Sequence, residues 1–136
     1  MDQERIDLAS QQTVVSMADL PPLTGTRRAR PGRFLLEGYR FGLNNLTLVM
    51  GETAPGKDTP SHRHPYEELF IVHGGRGTYT VGDTTVEAAA DDVVLIPSGV
   101  PHCFANNAQE TLYHTAVHSS GSSSSRMLTE RSPVMP

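Results

Sequence analysis

His62 and His64 are separated by one residue, and Glu68 follows four positions later. Imidazole nitrogens and carboxylate oxygens are donors that divalent transition metals accept. On a strand, residues two apart share a face. Two imidazoles can therefore reach one ion, at about 2.0–2.2 Å, without bending the chain. Glu68 opens the strand-like run "ELFIVHG" and reaches the same ion if the two segments lie side by side. Glu67 has the opposite parity and should point away. A fourth donor stands in "IPSGVPHCFAN", where Pro97 and Gly99 permit a tight turn and His102 opens the next strand. The preceding run "DVVLI" is apolar and β-rich, which places this hairpin in the core. A histidine beside a core needs partners for its ring nitrogens, and a shared metal supplies one. Taken singly, each histidine reads as a surface or satisfied core residue. Taken together, they read as a metal centre.

Other residues carry two readings each. His114 and His118 share a face of the last strand by alternation. His114 either enters a pocket as an acid–base group or is a hydrogen-bonded barrel histidine. His73 should face outward. Phe70 follows the parity of Glu68 and Phe104 that of His102; with Tyr79 they line the interior. They serve as core packing, as the wall of a pocket for a small organic substrate, or as both. Cys103, opposite in parity to His102, reads as a buried inert thiol. Lys57, Arg63 and Tyr66 stand near the rim of such a site.

The elements that must position these groups are short strands. "NNLTLVMGE" alternates with Leu46, Leu48 and Met50 on one face. "ELFIVHG", "RGTYTVG", "TTVEA", "DVVLIP", "HCFAN" and "ETLYHTAVH" follow. Gly74–Gly75, Gly82–Asp83, Pro97–Ser98–Gly99 and Asn106–Asn107 separate them. Closely spaced strands with turn signals predict an all-β sandwich or barrel. "TVVSM" and "FLLEGYRFG" are candidate strands earlier in the chain, the second interrupted by Gly38. The chain divides into residues 1–43, an N-terminal extension with possible edge strands; 44–118, the barrel; and 119–136, a serine-rich tail expected to be flexible.

Composition narrows the function. A length of 136 residues suits one domain. The net charge of −4 argues against a nucleic-acid partner. The arginines at 27, 28, 30 and 33 read as a solvated loop, or else as an anion or partner contact. One cysteine excludes an internal disulfide framework and fits a cytoplasmic location. No apolar run approaches the roughly 20 residues of a membrane span, and the charged N-terminus lacks a signal core.

The chain resembles the cupin superfamily. Its first motif, G-x5-H-x-H-x3-E-x6-G, is filled by Gly56, His62, His64, Glu68 and Gly75. Its second, G-x5-P-x-G-x2-H-x3-N, is filled by Pro97, Gly99, His102 and Asn106, with Asp91 where the opening glycine stands. An altered turn is the expected consequence. The resemblance implies a double-stranded β-helix, or jelly-roll barrel, around one divalent transition metal (Fe, Mn, Ni, Zn or Cu). His62, His64, Glu68 and His102 would be its ligands. It also implies a homodimer, with "TVVSM" as a candidate exchanged edge strand. The implied function is a metal-dependent enzyme on a small-molecule substrate, foremost an Fe(II) oxygenase. A non-redox isomerase, cyclase or decarboxylase using Zn(II), Ni(II) or Mn(II) is the alternative, and a non-catalytic ligand-binding or sensor protein is a further one.

Overall fold

A computed structural model describes residues 13–22, 33–123 and 126–127. Among them the chain forms β1 (Arg33–Glu37), β2 (Thr47–Thr53), β3 (His62–Arg63), β4 (Glu68–Gly74), β5 (Arg76–Val81), β6 (Thr84–Ala89), β7 (Val93–Ile96), β8 (His102–Ala105), β9 (Leu112–His118) and β10 (Arg126–Met127). They build two antiparallel sheets, ordered β1-β2-β9-β4-β7 and β10-β3-β8-β5-β6. The fold is all-β, as the alternation predicts, and its two sheets form the jelly-roll barrel that the resemblance implies. Among the described residues, no helix is long and apolar enough to cross a membrane.

The two sheets close on one core. Phe70, Val72, Val94, Ile96, Leu112 and Ala116 come from the first sheet; Tyr79, Ala88 and Phe104 come from the second. Phe70 lies 5.2 Å from Tyr79 and 5.5 Å from Phe104, ring centre to ring centre. Because inward residues recur every second position, the first sheet carries them in rows. One row joins Thr47, His118, Glu68 and Ile96 across four strands. The next joins Leu35, Val49, Ala116, Phe70 and Val94. A third joins Arg33, Gly51, His114 and Val72. Glu68 and His118 thus share the first row, the second row is hydrocarbon, and the third brings Arg33 and His114 in on its far side.

Several local expectations are corrected. "DVVLI" is not wholly in the core: Val94 and Ile96 are buried, but Val93 and Leu95 are 51% and 67% exposed. Burial alternates along β7, so Val94 and Ile96 face the core and Val93 and Leu95 face outward. "TVVSM" forms no strand. Ser16 Oγ accepts from the Ala18 amide and starts a single 3-10 turn over Met17–Asp19 instead. Leu48 and Met50 do share a face, but the inward face of β2 carries Thr47 and Val49. Arg33 is not in a solvated loop: it is half-buried, its guanidinium carbon 5.8 Å from the centre of the Phe104 ring. Arg27, Arg28 and Arg30 lie outside the described residues. Cys103 is half-buried, not buried. In the serine-rich tail, the Ser119 amide donates to the Glu67 carbonyl at 2.9 Å, and the Gly121 carbonyl accepts from the Tyr39 amide at 2.9 Å; the part beyond residue 127 lies outside the described residues.

The motif residues outside the donor set hold turns. Gly75 has φ +76, and a Cβ there would run into the Thr111 carbonyl oxygen. Asn106, fully buried, donates to the carbonyls of Thr53 and Glu110 at 2.9 and 2.8 Å and accepts from the Ala108 amide at 2.9 Å. Its own carbonyl accepts from Gly56 at 2.8 Å, which ties the start of the first motif to the end of the second.

Asp91 keeps the turn that its missing glycine led us to expect would change. Its φ is +78, the left-handed region that glycine occupies freely. Its amide donates to the Val72 carbonyl at 3.0 Å, and the Asp92 carboxylate accepts from the Ala89 amide at 2.8 Å. These bonds hold an L-residue in a conformation that costs about 1–2 kcal/mol. Part of that is offset, because glycine loses more backbone freedom on folding. Asp91→Gly should therefore stabilise the fold by about 0.5–1 kcal/mol. Urea unfolding with an unchanged slope checks this; a lower midpoint would show that the carboxylate carries the turn.

Candidate metal centre

Three segments bring the donors together. His62 of β3 pairs directly with His102 of β8, and their rings lie 4.4 Å apart. His64 follows β3, where its carbonyl accepts from the Gly99 amide at 2.9 Å. Ser98 Oγ donates to the Pro65 carbonyl at 2.9 Å. The Pro97–Gly99 turn is therefore fastened onto the first motif, and His102 is delivered to the cluster. Glu68, first residue of β4, enters from the opposite sheet. One donor atom from each of His62, His64, Glu68 and His102 lies within 4.8 Å of the others. Glu67 is exposed and does not belong to the cluster.

The ring orientations fit a cation at the centre. His62 Nδ1 lies 3.1 Å from the Pro60 carbonyl and His102 Nδ1 lies 2.9 Å from the Val100 carbonyl. A carbonyl only accepts, so each Nδ1 carries the proton and each Nε2 keeps its lone pair. The His64 ring stacks on Tyr66, 4.4 Å apart and inclined by 10°. His64 Nε2 and His102 Nε2 each lie 3.0 Å from Glu68 Oε1. The pairs are close enough for ion pairing, yet none of these three buried atoms has a hydrogen-bond partner. Buried polar atoms without partners are costly, and three that converge ask for a shared ion. A set of nitrogens and one carboxylate oxygen suits a divalent transition metal.

Electrostatics agree. Burial raises the Glu68 carboxyl, but the imidazoles of His102, His118 and His64 outweigh it and hold Glu68 far below the ordinary range. Glu68 is thus anionic. Burial lowers His62 and favours its neutral, ligating form. Burial also opposes charge on His102, but Glu68 and the Val100 carbonyl overcome that and raise it. A proton and a divalent cation compete for that nitrogen.

His118 is the participant that sequence reasoning missed. It pairs with Glu68 across β9 and β4, and its Nε2 lies 3.2 Å from Glu68 Oε2. Its Nδ1 lies 3.3 Å from the Tyr66 hydroxyl. With Tyr66 donating to Nδ1, the Nε2 proton is left for Oε2, and Oε1 stays aimed at the centre. The alternation of β9 showed that His118 shares a face with His114. It could not show the pairing register that sets His118 against Glu68. Supporting partners of metal ligands are worth about 10–100-fold in affinity. His118→Phe should weaken zinc binding by that factor in a chelator competition, with little change in far-ultraviolet circular dichroism. Unchanged affinity would remove His118 from the site.

The remaining expected site residues lie deeper. Phe70, Tyr79 and Phe104 are core residues, 3%, 0% and 6% exposed. His114 is buried four residues along β9 from His118, stacked on Phe70 at 4.8 Å. Its Nδ1 lies 2.7 Å from the Tyr79 hydroxyl. Burial pushes His114 down to about 4, with help from the Arg33 charge. Burial also raises Tyr79. His114 is neutral at pH 7, and the tyrosine hydroxyl donates to it. His73 is exposed, 2.8 Å from Thr115 Oγ1.

The family described as "Cupin domain" matches residues 49–118, half of the chain. The protein is a cupin. Auxin-binding protein 1 of Arabidopsis thaliana is 27% identical over 108 residues, which cover 73% of this chain and 54% of that protein. The cupin thus spans about half of that relative's length. A conserved protein with a double-stranded β-helix domain from Klebsiella pneumoniae superposes with a TM-score of 0.66 at 22% identity, over 88% of this chain and all of that one. Oxalate decarboxylase from Lactobacillus farciminis, in complex with formate, gives 0.70 at 23% identity, over 82% of this chain and 34% of that one. At such identities the two structures share the fold with this cupin.

Proposed function

We propose that this cupin is a metal-dependent enzyme acting on a small organic molecule, with Fe(II)-dependent oxygenation as the reaction. The observation that supports it is the group of three orphaned buried atoms, His64 Nε2, His102 Nε2 and Glu68 Oε1, beside the half-buried His62. A bound divalent metal supplies Lewis acidity or, as iron(II), electrons for dioxygen chemistry. Four protein donors leave room for outside ligands on a six-coordinate ion. His118 and Tyr66 orient Glu68, and the Phe70 row below keeps water from the far side. The acid–base part expected of His114 becomes a positioning part here, because its ring is stacked on Phe70 and its Nδ1 is engaged by Tyr79. Cys103, unpaired, suits a reducing cytoplasm.

The fold likeness to an oxalate decarboxylase favours a second reading, non-redox chemistry with manganese, zinc or nickel. The likeness to an auxin-binding protein favours a third, ligand binding without turnover. Oxygen electrode measurements separate them. Iron(II)-loaded protein should consume dioxygen with a panel of small carboxylates, phenols and thiols, and the zinc form should not. Turnover by the zinc or manganese form without oxygen uptake would replace oxygenation with the second reading. Saturable binding with no turnover by any metal form would leave the third.

A further inference from the structure

Away from the metal centre, the outer face of the first sheet carries a hollow. Strand pairing sets its floor. Phe34 of β1 pairs with Met50 of β2, Met50 with Thr115 of β9, and Glu52 with Tyr113. Alternation turns Gly51 and His114, the pair between them, toward the interior. Met50, Glu52, Tyr113 and Thr115 therefore stand together on the outside. One wall is the turn over Met17–Asp19. It is fastened beside β1, because the Leu35 amide donates to the Pro21 carbonyl at 3.0 Å and Pro22 forms a bridge with Phe34. The opposite wall comes from a bulge in β4. Val72 pairs with His114 and Gly74 with Tyr113, which leaves His73 as the extra residue. Its ring lies over the outer face, with Nε2 2.8 Å from Thr115 Oγ1. Bulges re-aim side chains in this way. Together these elements border a cavity of about 700 Å³, a size that suits a small molecule.

We propose that this hollow binds a small organic ammonium ion, an amine with an apolar body. It lies on the face of the sheet away from the metal cluster and is independent of the function proposed above. The apolar body follows from the lining, where Met17, Phe34, Met50 and Tyr113 supply thioethers and aromatic rings. Thioethers adapt to varied shapes. The charged head follows from Glu52. It is half-buried in the lining, and among the described residues its carboxylate has no hydrogen bond or ion pair. A carboxylate taken partly out of water gains from a cation that also donates hydrogen bonds to it. An ammonium group gains in turn from the face of an aromatic ring, and Tyr113, paired with Glu52, brings one alongside. An anionic head would meet Glu52 as a like charge. His73 and Thr115 are bonded to each other, so they close the wall and leave Glu52 to the ligand. The net charge of −4 favours a ligand of the same sign.

Nuclear magnetic resonance titration of the isotope-labelled full chain at neutral pH tests it. Three probes share one body and differ in the head: phenethylamine, phenylacetate and phenethyl alcohol. Phenethylamine should shift the amides of Glu52, His73 and Tyr113 saturably, with a dissociation constant of about 1 mM or tighter. The acid and the alcohol should bind there at least about 10-fold more weakly. Glu52→Gln should weaken the amine by about 10–100-fold, the range for a hydrogen bond to a charged group. Glu67→Gln, an exposed glutamate elsewhere, should leave its binding unchanged. Metal-free and zinc-loaded protein should bind the amine alike. Equal affinity for the three probes would overturn the proposal, because the hollow would then read only the apolar body. So would a Glu52→Gln variant that binds as the wild type does, an amine that shifts none of the three amides, or binding that needs the zinc.

Discussion

Protein carrying His102→Ala should bind metal at least about 100-fold more weakly than the wild type, the loss that supporting partners alone can reach. His102 Nε2 is one of the three converging atoms with no other partner, so removing the ring takes away a donor and leaves no substitute. The barrel should survive, because the ring's neighbours are the other donors of the cluster and its hydrogen bond goes to the Val100 carbonyl, two residues back in the same segment. His62→Ala should behave similarly. Glu68→Gln is the sharper variant, since it keeps the shape and removes the charge. Burial of an anion is tolerated there only because three imidazoles surround it. A neutral amide should fold at least as well without metal and bind metal far less tightly. Glu67→Gln, one residue away and exposed, should be silent. Elemental analysis after gel filtration reads all four. Stoichiometric metal in the His62→Ala, His102→Ala double variant would refute the ligand set.

Asn106→Ala should lower stability by about 3 kcal/mol while leaving metal affinity within a few-fold. The side chain makes three bonds in a fully buried position. Each is worth about 1 kcal/mol net, so the three together account for the expected loss. For a chain of this size the melting temperature should fall by roughly 10 °C. The denaturant midpoint should drop with an unchanged slope. Metal loss with unchanged stability would reverse the assignment and make Asn106 part of the site. The contrast with His102→Ala matters, because both residues belong to the same sequence motif. One is there for the ion and the other for the loop that carries it.

The donor set was legible because metal ligation imposes residue type and spacing together. His62, His64, Glu68 and His102 could be picked out as strand-borne donors, and alternation placed Glu67 outside. The barrel was legible for a similar reason: each turn between strands carries residues with special backbone preferences. What alternation cannot supply is which strand lies beside which. Glu68 and His118 are fifty residues apart and meet through register alone, so His118 went unassigned to the site. The face of a strand was a second blind spot. "DVVLI" contains nothing but apolar side chains after its aspartate, so it looked like core on both sides. Its outward half is instead exposed at Val93 and Leu95. Asp91 shows the reverse error. The residue type argued for a different turn, but the two bonds around it, to Val72 and within the Ala89–Asp92 loop, were strong enough to impose glycine's conformation. Arg33 was grouped with its neighbouring arginines by charge. Its strand parity, inward beside Gly51, decides its environment.

The most direct test is a crystal structure of protein purified without added metal, with anomalous diffraction recorded across the iron, manganese, nickel and zinc edges. One ion per chain should stand about 2.0–2.3 Å from an imidazole nitrogen of His62, His64 and His102 and from Glu68 Oε1. Protein grown in metal-replete medium that shows no anomalous peak among these four side chains, or whose bound metal sits elsewhere on the chain, would contradict the account.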